Sequence, residues 1–310
     1  MAYAHQPVLL AEVSQHIPTT ERAIVVDCTL GGAGHSEAIL ERIAPSDGLL
    51  VGIDADIAAI EAAGATTARF SQQTLFINEN FRNLDRILTD LELPAVDAVL
   101  FDLGVSSTQL DEASRGFSYR HDAPLDMRMG REGASAADLV NQASQADLAR
   151  WIRRYGEERF AARIAAAIVA DRPILTTGRL AEVVKEAIPA ATRRTGGHPA
   201  RRTFQALRMV VNDELAALEE GLAAAISWLA PEGRLIVISY HSLEDRLVKT
   251  VIKEAARGCT CPSDLAVCVC GNRPLVEILT KRPVVPTPEE ISENPRARSA
   301  KMRVAKKVKS

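Results

Sequence analysis

Aromatic side chains are scarce: Phe, Trp and Tyr together make up 4% of 310 residues, which excludes a broad stacking platform for bases. Long apolar runs are missing too. Nothing approaches the roughly 18 to 20 uninterrupted apolar residues that span a bilayer, and the opening MAYAHQPVLLAEV has no basic region followed by an apolar stretch. A cytoplasmic protein with no membrane partner is the expectation. Cysteine is sparse, and four of the five fall within residues 259–270, which excludes a secreted disulfide framework on a chain this long. Positive charge is not in excess either. The 37 Lys and Arg against 40 Asp and Glu give a net charge of −3, which excludes a chain coated in positive field. With 47% hydrophobic residues the chain can bury a full core, as one large domain with an insertion or as two domains.

Charge distribution adds what the total hides. From Asn294 to Ser310 the tail carries Arg296, Arg298, Lys301, Arg303, Lys306, Lys307 and Lys309 with no acid among them. Arg193, Arg194, Arg201 and Arg202 form a second cluster around Gly196, Gly197 and Pro199. Either run alone reads as a solvated surface; two of them beside a nucleotide-type fold point to phosphate contact.

Strand and helix signals alternate through the first hundred residues. Ala23 to Asp27 is a β-branched run ending in an acid, followed by the small-residue turn Thr29 to Gly34 and a helical stretch from His35 to Ile43. Leu49 to Ile53 is a second run closed by Asp54, with the alanine-rich stretch Ala55 to Ala65 behind it. Gln73 to Ile77 is a third, followed by a helical Phe81 to Leu91, and Ala98 to Phe101 is a fourth, ending at Asp102. Such alternation implies parallel pairing and a doubly wound α/β sheet. Between about Ala134 and Ala190 only helix periodicity remains, which indicates a helical insert. Thr203 to Leu229 then reads as a single apolar stripe, before the turn Pro231 to Gly233 and a strand from Leu235 to Ser239. The close, Ala300 to Val304, is a further strand, so the sheet draws on both ends of the sequence. The expected division is a first part, 1–133, a helical insert for substrate recognition, 134–202, and a second part, 203–310, with a cysteine loop and basic tail.

Chemistry concentrates in four places. Gly31, Gly32, Ala33 and Gly34 let a ligand approach the backbone where a helix begins, and Asp54, at the end of the next strand, can accept hydrogen bonds from both hydroxyls of a ribose. Gly31 to Ser36 does not provide the G-x-G-x-x-G of a dinucleotide site. S-adenosylmethionine needs no pyrophosphate cradle and is the cofactor class this half favours. Asp102 leads into Leu103-Gly104-Val105-Ser106-Ser107, aimed at the reactive end of such a ligand. There a carboxylate or serine hydroxyl can hold an amine proton and orient the nitrogen lone pair; Asp102 as a plain strand cap is the alternative. Tyr240, His241, Ser242 and Asp245 share the turn after the fifth strand, as a substrate-facing cluster or as an S-x-x-D helix cap formed by Ser242 and Asp245. Finally, Cys259, Cys261, Cys268 and Cys270 make C-x-C twice. This fits a tetrahedral thiolate zinc site that staples a loop, or redox-labile thiols. Cys28 stands alone and reads as a buried small hydrophobe.

Longer motifs accompany these residues: HQPVLL at 5–10, DLGVSSTQLD at 102–111, RGFSYR at 115–120, PLDMRM at 124–129, YGEERFA at 155–161, HPARRTFQALR at 198–208, SYHSLEDR at 239–246 and NPRARS at 294–299. By them the chain resembles, over nearly its whole length, the MraW family of bacterial methyltransferases. That resemblance implies a Rossmann-like S-adenosylmethionine-dependent methyltransferase sheet with an inserted all-helical domain. It also implies methylation of the N4 amine of a cytidine in the decoding region of small-subunit (16S) ribosomal RNA, free or in the 30S subunit. It further implies a cofactor site of Ala33, Gly34, His35, Asp54, Phe81, Asp102 and Gln109, of which His35, Phe81 and Gln109 come from the resemblance alone. Family members that lack the cysteine loop imply that catalysis does not depend on it. Methylation of DNA or a small molecule, and a non-catalytic RNA-binding assembly factor, are the competing readings. Catalytic candidates are Asp102 and Ser106, with His241 or Asp245 as a secondary proton acceptor; Arg193, Arg194, Arg201, Arg202, Arg296 and Arg298 are candidates for RNA contact.

Overall fold

Val25 and Val26 are adjacent in one strand, yet each packs into a different layer of helices. A computed structural model shows how; it describes residues 7–130, 132–190, 197–259, 261 and 270–309. Helix α1 (Leu10–His16) precedes β1 (Ile24–Asp27). Then α2 (Gly34–Ile43) leads to β2 (Leu49–Asp54), α3 (Ile57–Thr66) to β3 (Thr74–Asn78), and α4 (Leu84–Asp90) to β4 (Val96–Asp102). A helical run follows: α5 (Ser107–Asp111), α6 (Ala136–Gln142), α7 (Gln145–Gly156), α8 (Ala161–Ala170), α9 (Thr177–Ala187) and α10 (Arg201–Val211). Helix α11 (Glu214–Trp228) leads to β5 (Leu229–Ser239), and α12 (Ser242–Ala255), β6 (Val276–Ile278), α13 (Pro288–Glu293) and β7 (Lys301–Lys307) complete the order.

The described strands form a seven-stranded sheet in the order β3-β2-β1-β4-β5-β7-β6. Neighbours among β1 to β5 pair in parallel, and β7 runs antiparallel between β5 and β6. This is a Rossmann-like, doubly wound α/β fold. On one face Val25, Leu50, Leu100, Ile236, Ile238 and Val304 pack with Val13 of α1 and Ile39, Leu40 and Ile43 of α2. On the other, Val26, Val51, Val99, Phe101, Leu235 and Val237 pack with Leu84 and Leu88 of α4, Leu218 and Leu222 of α11, and Val248 and Ile252 of α12. Burial on both faces explains why these strands read as continuous β-branched and leucine-rich runs rather than alternating ones. Leu100 is wholly buried; Leu100→Ala costs about 2–5 kcal/mol through lost transfer energy and the cavity it leaves.

The chain divides into two compact units, Met1–Gly104 with Leu215–Ser310, and Val105–Glu214. The sheet belongs to the first. The second has its own core, in which Leu148, Ile152, Ile164, Ile168, Leu180, Val184 and Leu207 converge, and the stretch 134–202 falls within it. Helices α6, α7 and α9 start on side-chain caps: Ser135 accepts from the N–H of Asp138, Ser144 from that of Asp147, and Thr176 from that of Arg179.

Two expectations need correcting. Thr203 to Leu229 is not one helix: it breaks at Asn212 and Asp213, where Asp213 takes a left-handed φ of 48°. Asn212 fixes that break by accepting from the Met129 N–H at 2.8 Å and donating to the Met127 carbonyl at 2.8 Å. The basic tail, read as a run for phosphate contact, is in part built into the sheet. Lys301, Arg303, Lys306 and Lys307 lie on β7; Lys306 faces Glu277 at 3.0 Å, and Lys307 donates to the Ile226 carbonyl at 2.6 Å. Arg296, Arg298 and Lys309 remain exposed.

Candidate active site at the carboxyl rim of the sheet

The strand order reverses between β1 and β4: from β1 the chain builds outward through β2 and β3, then crosses to β4 and β5 on the other side. In an open α/β sheet a ligand crevice lies outside the carboxyl ends of the strands at that switch point. Four polar residues end the strands there: Asp27 on β1, Asp54 on β2, Asn78 on β3 and Asp102 on β4.

Asp27 is buried and serves the turn. One of its oxygens accepts from the Thr29 N–H at 3.1 Å, the other from the Ser36 hydroxyl at 2.7 Å. The loop after β1 is thereby tied to the first turn of α2. Gly31 and Ala33 both take left-handed φ values, 48° and 60°. Ala33 is the N-cap of α2 and supplies no side-chain cap to the first N–H groups of that helix. A Cβ built on Gly32 would meet no atom within 4 Å, whereas one on Gly34 would stand 2.4 Å from Pro7 Cγ. Gly34 is thus required by the packing of Pro7, a reason different from the ligand approach expected of it.

Asp54 reaches back over this turn. Oδ2 accepts from the Gly31 N–H at 3.0 Å and Oδ1 from the Asp56 N–H at 2.8 Å. Burial pushes its pKa up to about 6, with those two N–H bonds opposing the shift. At neutral pH it is ionised, and each carboxylate oxygen has room to accept a further donor.

Asp102 sits in a different setting. Its N–H donates to the Thr29 hydroxyl at 2.6 Å, and its Oδ1 accepts from the Tyr240 hydroxyl at 2.8 Å. Burial, together with the Asp102 charge, raises the Tyr240 pKa far above its ordinary value, so the phenol remains a fixed donor. His35 Nε2 stands 3.5 Å from Asp102 Oδ2. Burial draws the His35 pKa down, but the Asp102 and Asp27 carboxylates outweigh it and the net shift is upward. Both ring nitrogens are buried and neither makes a well-aligned hydrogen bond, although Nε2 faces Asp102 and the Val8 backbone lies beside the ring. Poorly satisfied polar atoms at a rim of this kind mark a place where a ligand completes the bonding. Phe81, half-buried after β3, sets its ring edge-on to Phe101 with centroids 5.5 Å apart.

The β5 end of the rim is built otherwise. His241 is the N-cap of α12: its Nδ1 accepts from the Glu244 N–H at 3.3 Å, and Glu244 Oε2 accepts from the N–H groups of Tyr240 and His241 at 2.8 and 3.2 Å. His241 Nε2 lies 2.9 Å from Glu244 Oε1 but out of line for a hydrogen bond. The cap is therefore His241 with Glu244, not Ser242 with Asp245. Asp245, expected as a secondary proton acceptor, instead accepts from Arg303 Nε at 2.7 Å and Lys301 Nζ at 3.4 Å. Burial works against its charge, but the two cations outweigh this and hold its carboxyl below the usual range. A carboxylate so paired is a poor base.

Ser106 and Gln109 belong to the second unit, where they cap α5 reciprocally: Ser106 Oγ accepts from the Gln109 N–H and Gln109 Oε1 from the Ser106 N–H, both at 3.1 Å. Arg201 and Arg202 open α10 and are exposed; Arg202 donates to the Glu157 carbonyl at 3.1 Å. Arg193, Arg194 and Cys268 lie outside the described residues. The sulfurs of Cys259, Cys261 and Cys270 come together beyond the far end of α12. Cys28 is buried, as expected of a small hydrophobe.

Residues 2–308 match the MraW methylase family. This chain belongs to that family. A full-length relative from Heliobacterium modesticaldum, named ribosomal RNA small subunit methyltransferase H, is 52% identical and the match covers all of both chains. Relatives of the same name from Symbiobacterium thermophilum and Geobacter sulfurreducens are 52% and 51% identical, covering 98% and all of their own lengths. Within this family member, sequence reasoning did not single out Asp27 or Thr29 as site residues, and it placed Tyr240 in a substrate-facing cluster without its contact to Asp102. Asp27 carried a signal, being an acid that closes a strand ahead of a small-residue turn. The contact of Tyr240 with Asp102 spans 138 positions and leaves no local trace.

Proposed function

We propose that this chain is a cytoplasmic enzyme that methylates the N4 amine of a cytidine in the decoding region of small-subunit (16S) ribosomal RNA, using S-adenosylmethionine. The observation that carries the reading is the rim at the β1/β4 switch point, where Asp54 and the Asp102, Tyr240 and His35 cluster converge, in a member of the MraW methylase family. The residues present fit the cofactor. Left-handed Gly31 and Ala33 leave open space over Gly32, the ionised Asp54 can accept ribose hydroxyls, and the buried His35 ring lacks a well-aligned hydrogen bond. Gly31, Ala33, Gly34, His35, Asp54 and Phe81 are the residues of the sheet unit that we assign to holding it. When bound, it supplies a methyl group already activated by the sulfonium.

The protein's own task is then positional. Asp102 accepts an N–H of the target amine and turns the nitrogen lone pair out of conjugation. Tyr240 fixes that carboxylate from one side. His35 faces its other oxygen at 3.5 Å. His241 and Asp245 are engaged in a cap and an ion pair and serve the architecture. A cytidine within folded RNA must leave its stack to reach such a crevice, at a cost of a few kcal/mol that the pocket returns. The helical unit, with Arg193, Arg194, Arg201 and Arg202, and the exposed Arg296 and Arg298 supply the phosphate contacts.

Mass spectrometry of ribosomal RNA fragments from cells with and without the protein tests this. One methyl on a decoding-region cytidine should vanish with the gene, return with the wild-type chain and stay absent with Asp102→Ala. An unchanged fragment pattern contradicts the reading.

A further inference from the structure

Past the end of α12 the chain forms a loop with a built neck. Asn272 Nδ2 donates to the carbonyls of Arg257 and Gly258 at 3.0 and 2.7 Å, and the Leu275 N–H donates to the Ala255 carbonyl at 2.8 Å. Directly above that neck the Sγ atoms of Cys259 and Cys270 are 3.7 Å apart, and those of Cys259, Cys261 and Cys270 all lie within 4.8 Å of one another. The 3.7 Å spacing is far longer than the roughly 2.05 Å of a disulfide. It matches the edge of a tetrahedron: with Zn–S near 2.3 Å, neighbouring sulfurs stand about 3.8 Å apart.

We propose that Cys259, Cys261 and Cys270 ligate a structural Zn(II) ion that closes this loop. Each thiol loses its proton to solvent as its sulfur bonds the metal, and nothing is oxidised or reduced. Soft thiolates in tetrahedral array select zinc over the hard cations that prefer oxygen. The sequence holds a further thiol at Cys268, outside the described residues, so the argument from geometry rests on three sulfurs. Fourteen residues of α12 at 1.5 Å each put the cluster about 20 Å from His241 at the other helix end. The ion is thus remote from Asp54 and Asp102, and its work is to hold the polypeptide between α12 and β6.

The test uses the full-length, untagged chain and two probes, Zn(II) alone and Co(II) alone. As purified it should hold about one zinc per chain, and Co(II) in its place should give the intense visible bands of tetrahedral thiolate coordination. Zinc should protect at least three thiols from an aromatic disulfide reagent. Removing the metal should speed tryptic cutting at Arg257 about tenfold, because the neck then opens more often. Cys259→Ser and Cys270→Ser should each lower zinc occupancy about tenfold while binding of S-adenosylmethionine stays unchanged. If either variant fails to fold, metal removal and refilling of the wild-type chain still decides. Stoichiometric iron, a disulfide in the metal-free protein as purified, fewer than three protected thiols, or full zinc retention by the variants overturns the proposal.

Discussion

Two stretches of one rim hold acids of the same kind in opposite circumstances. Over β1, β2 and β4 the carboxylates of Asp27, Asp54 and Asp102 are met by backbone N–H groups, hydroxyls and a buried histidine ring. Over β5 and β7, Asp245 lies between Arg303 and Lys301, and Glu244 is absorbed in capping α12. The difference is one of spare capacity. Neutral donors orient a carboxylate without cancelling its charge, so Asp54 and Asp102 can still receive a ligand, whereas two cations leave Asp245 nothing to offer but stability.

Substitutions on the two stretches should separate accordingly. The largest effect is expected for Asp102→Ala: methyl transfer should fall by at least about a thousandfold with the circular dichroism spectrum unchanged, since both orientation and the proton contact are lost. Full turnover in that variant would erase the distinction. Asp54→Ala should weaken S-adenosylmethionine about a hundredfold by calorimetry, the worth of two charge-assisted hydrogen bonds to ribose. Tyr240→Phe leaves Asp102 in place but removes its donor, and should lower kcat about tenfold with little change in cofactor affinity. Smallest in catalytic terms is Asp245→Asn: turnover should stay within about twofold, while chemical denaturation reports about 2 kcal/mol of lost stability from the stranded Arg303. An Asp245 variant that loses activity as Asp102→Ala does would place both stretches in the chemistry.

Strand endings were the most legible part of the molecule. Asp54 and Asp102 close β-branched or leucine-rich runs, and a doubly wound sheet sends such endings to the ligand rim, so local pattern reaches both position and role. Tyr240 was not legible in that way, because its partner lies on another strand and only the assembled order β4-β5 brings the two together. The basic tail misled for a related reason. Its charges are regular in sequence, but Lys301 and Arg303 lie on a central antiparallel strand whose acids come from α12. Likewise one apolar stripe through residues 203–229 conceals a break that Asn212 enforces by long-range hydrogen bonds. Gly34 was read as a place of ligand approach, whereas the steric demand for a glycine there comes from Pro7, which is distant in sequence.

The central claim is that the charge on Asp54 holds the cofactor, and its raised pKa makes this directly measurable. In the free protein a protonated Asp54 favours folding below its ordinary value of 3.8, a contribution lost as pH rises through about 6. Ligand affinity should move the opposite way, because the ionised form is the acceptor. Calorimetric titration with S-adenosylmethionine between about pH 5 and pH 8 should show affinity climbing through pH 6 in the wild-type chain and a flat, weaker profile in Asp54→Asn. No binding at any pH, or an identical climb in Asp54→Asn, would contradict the account.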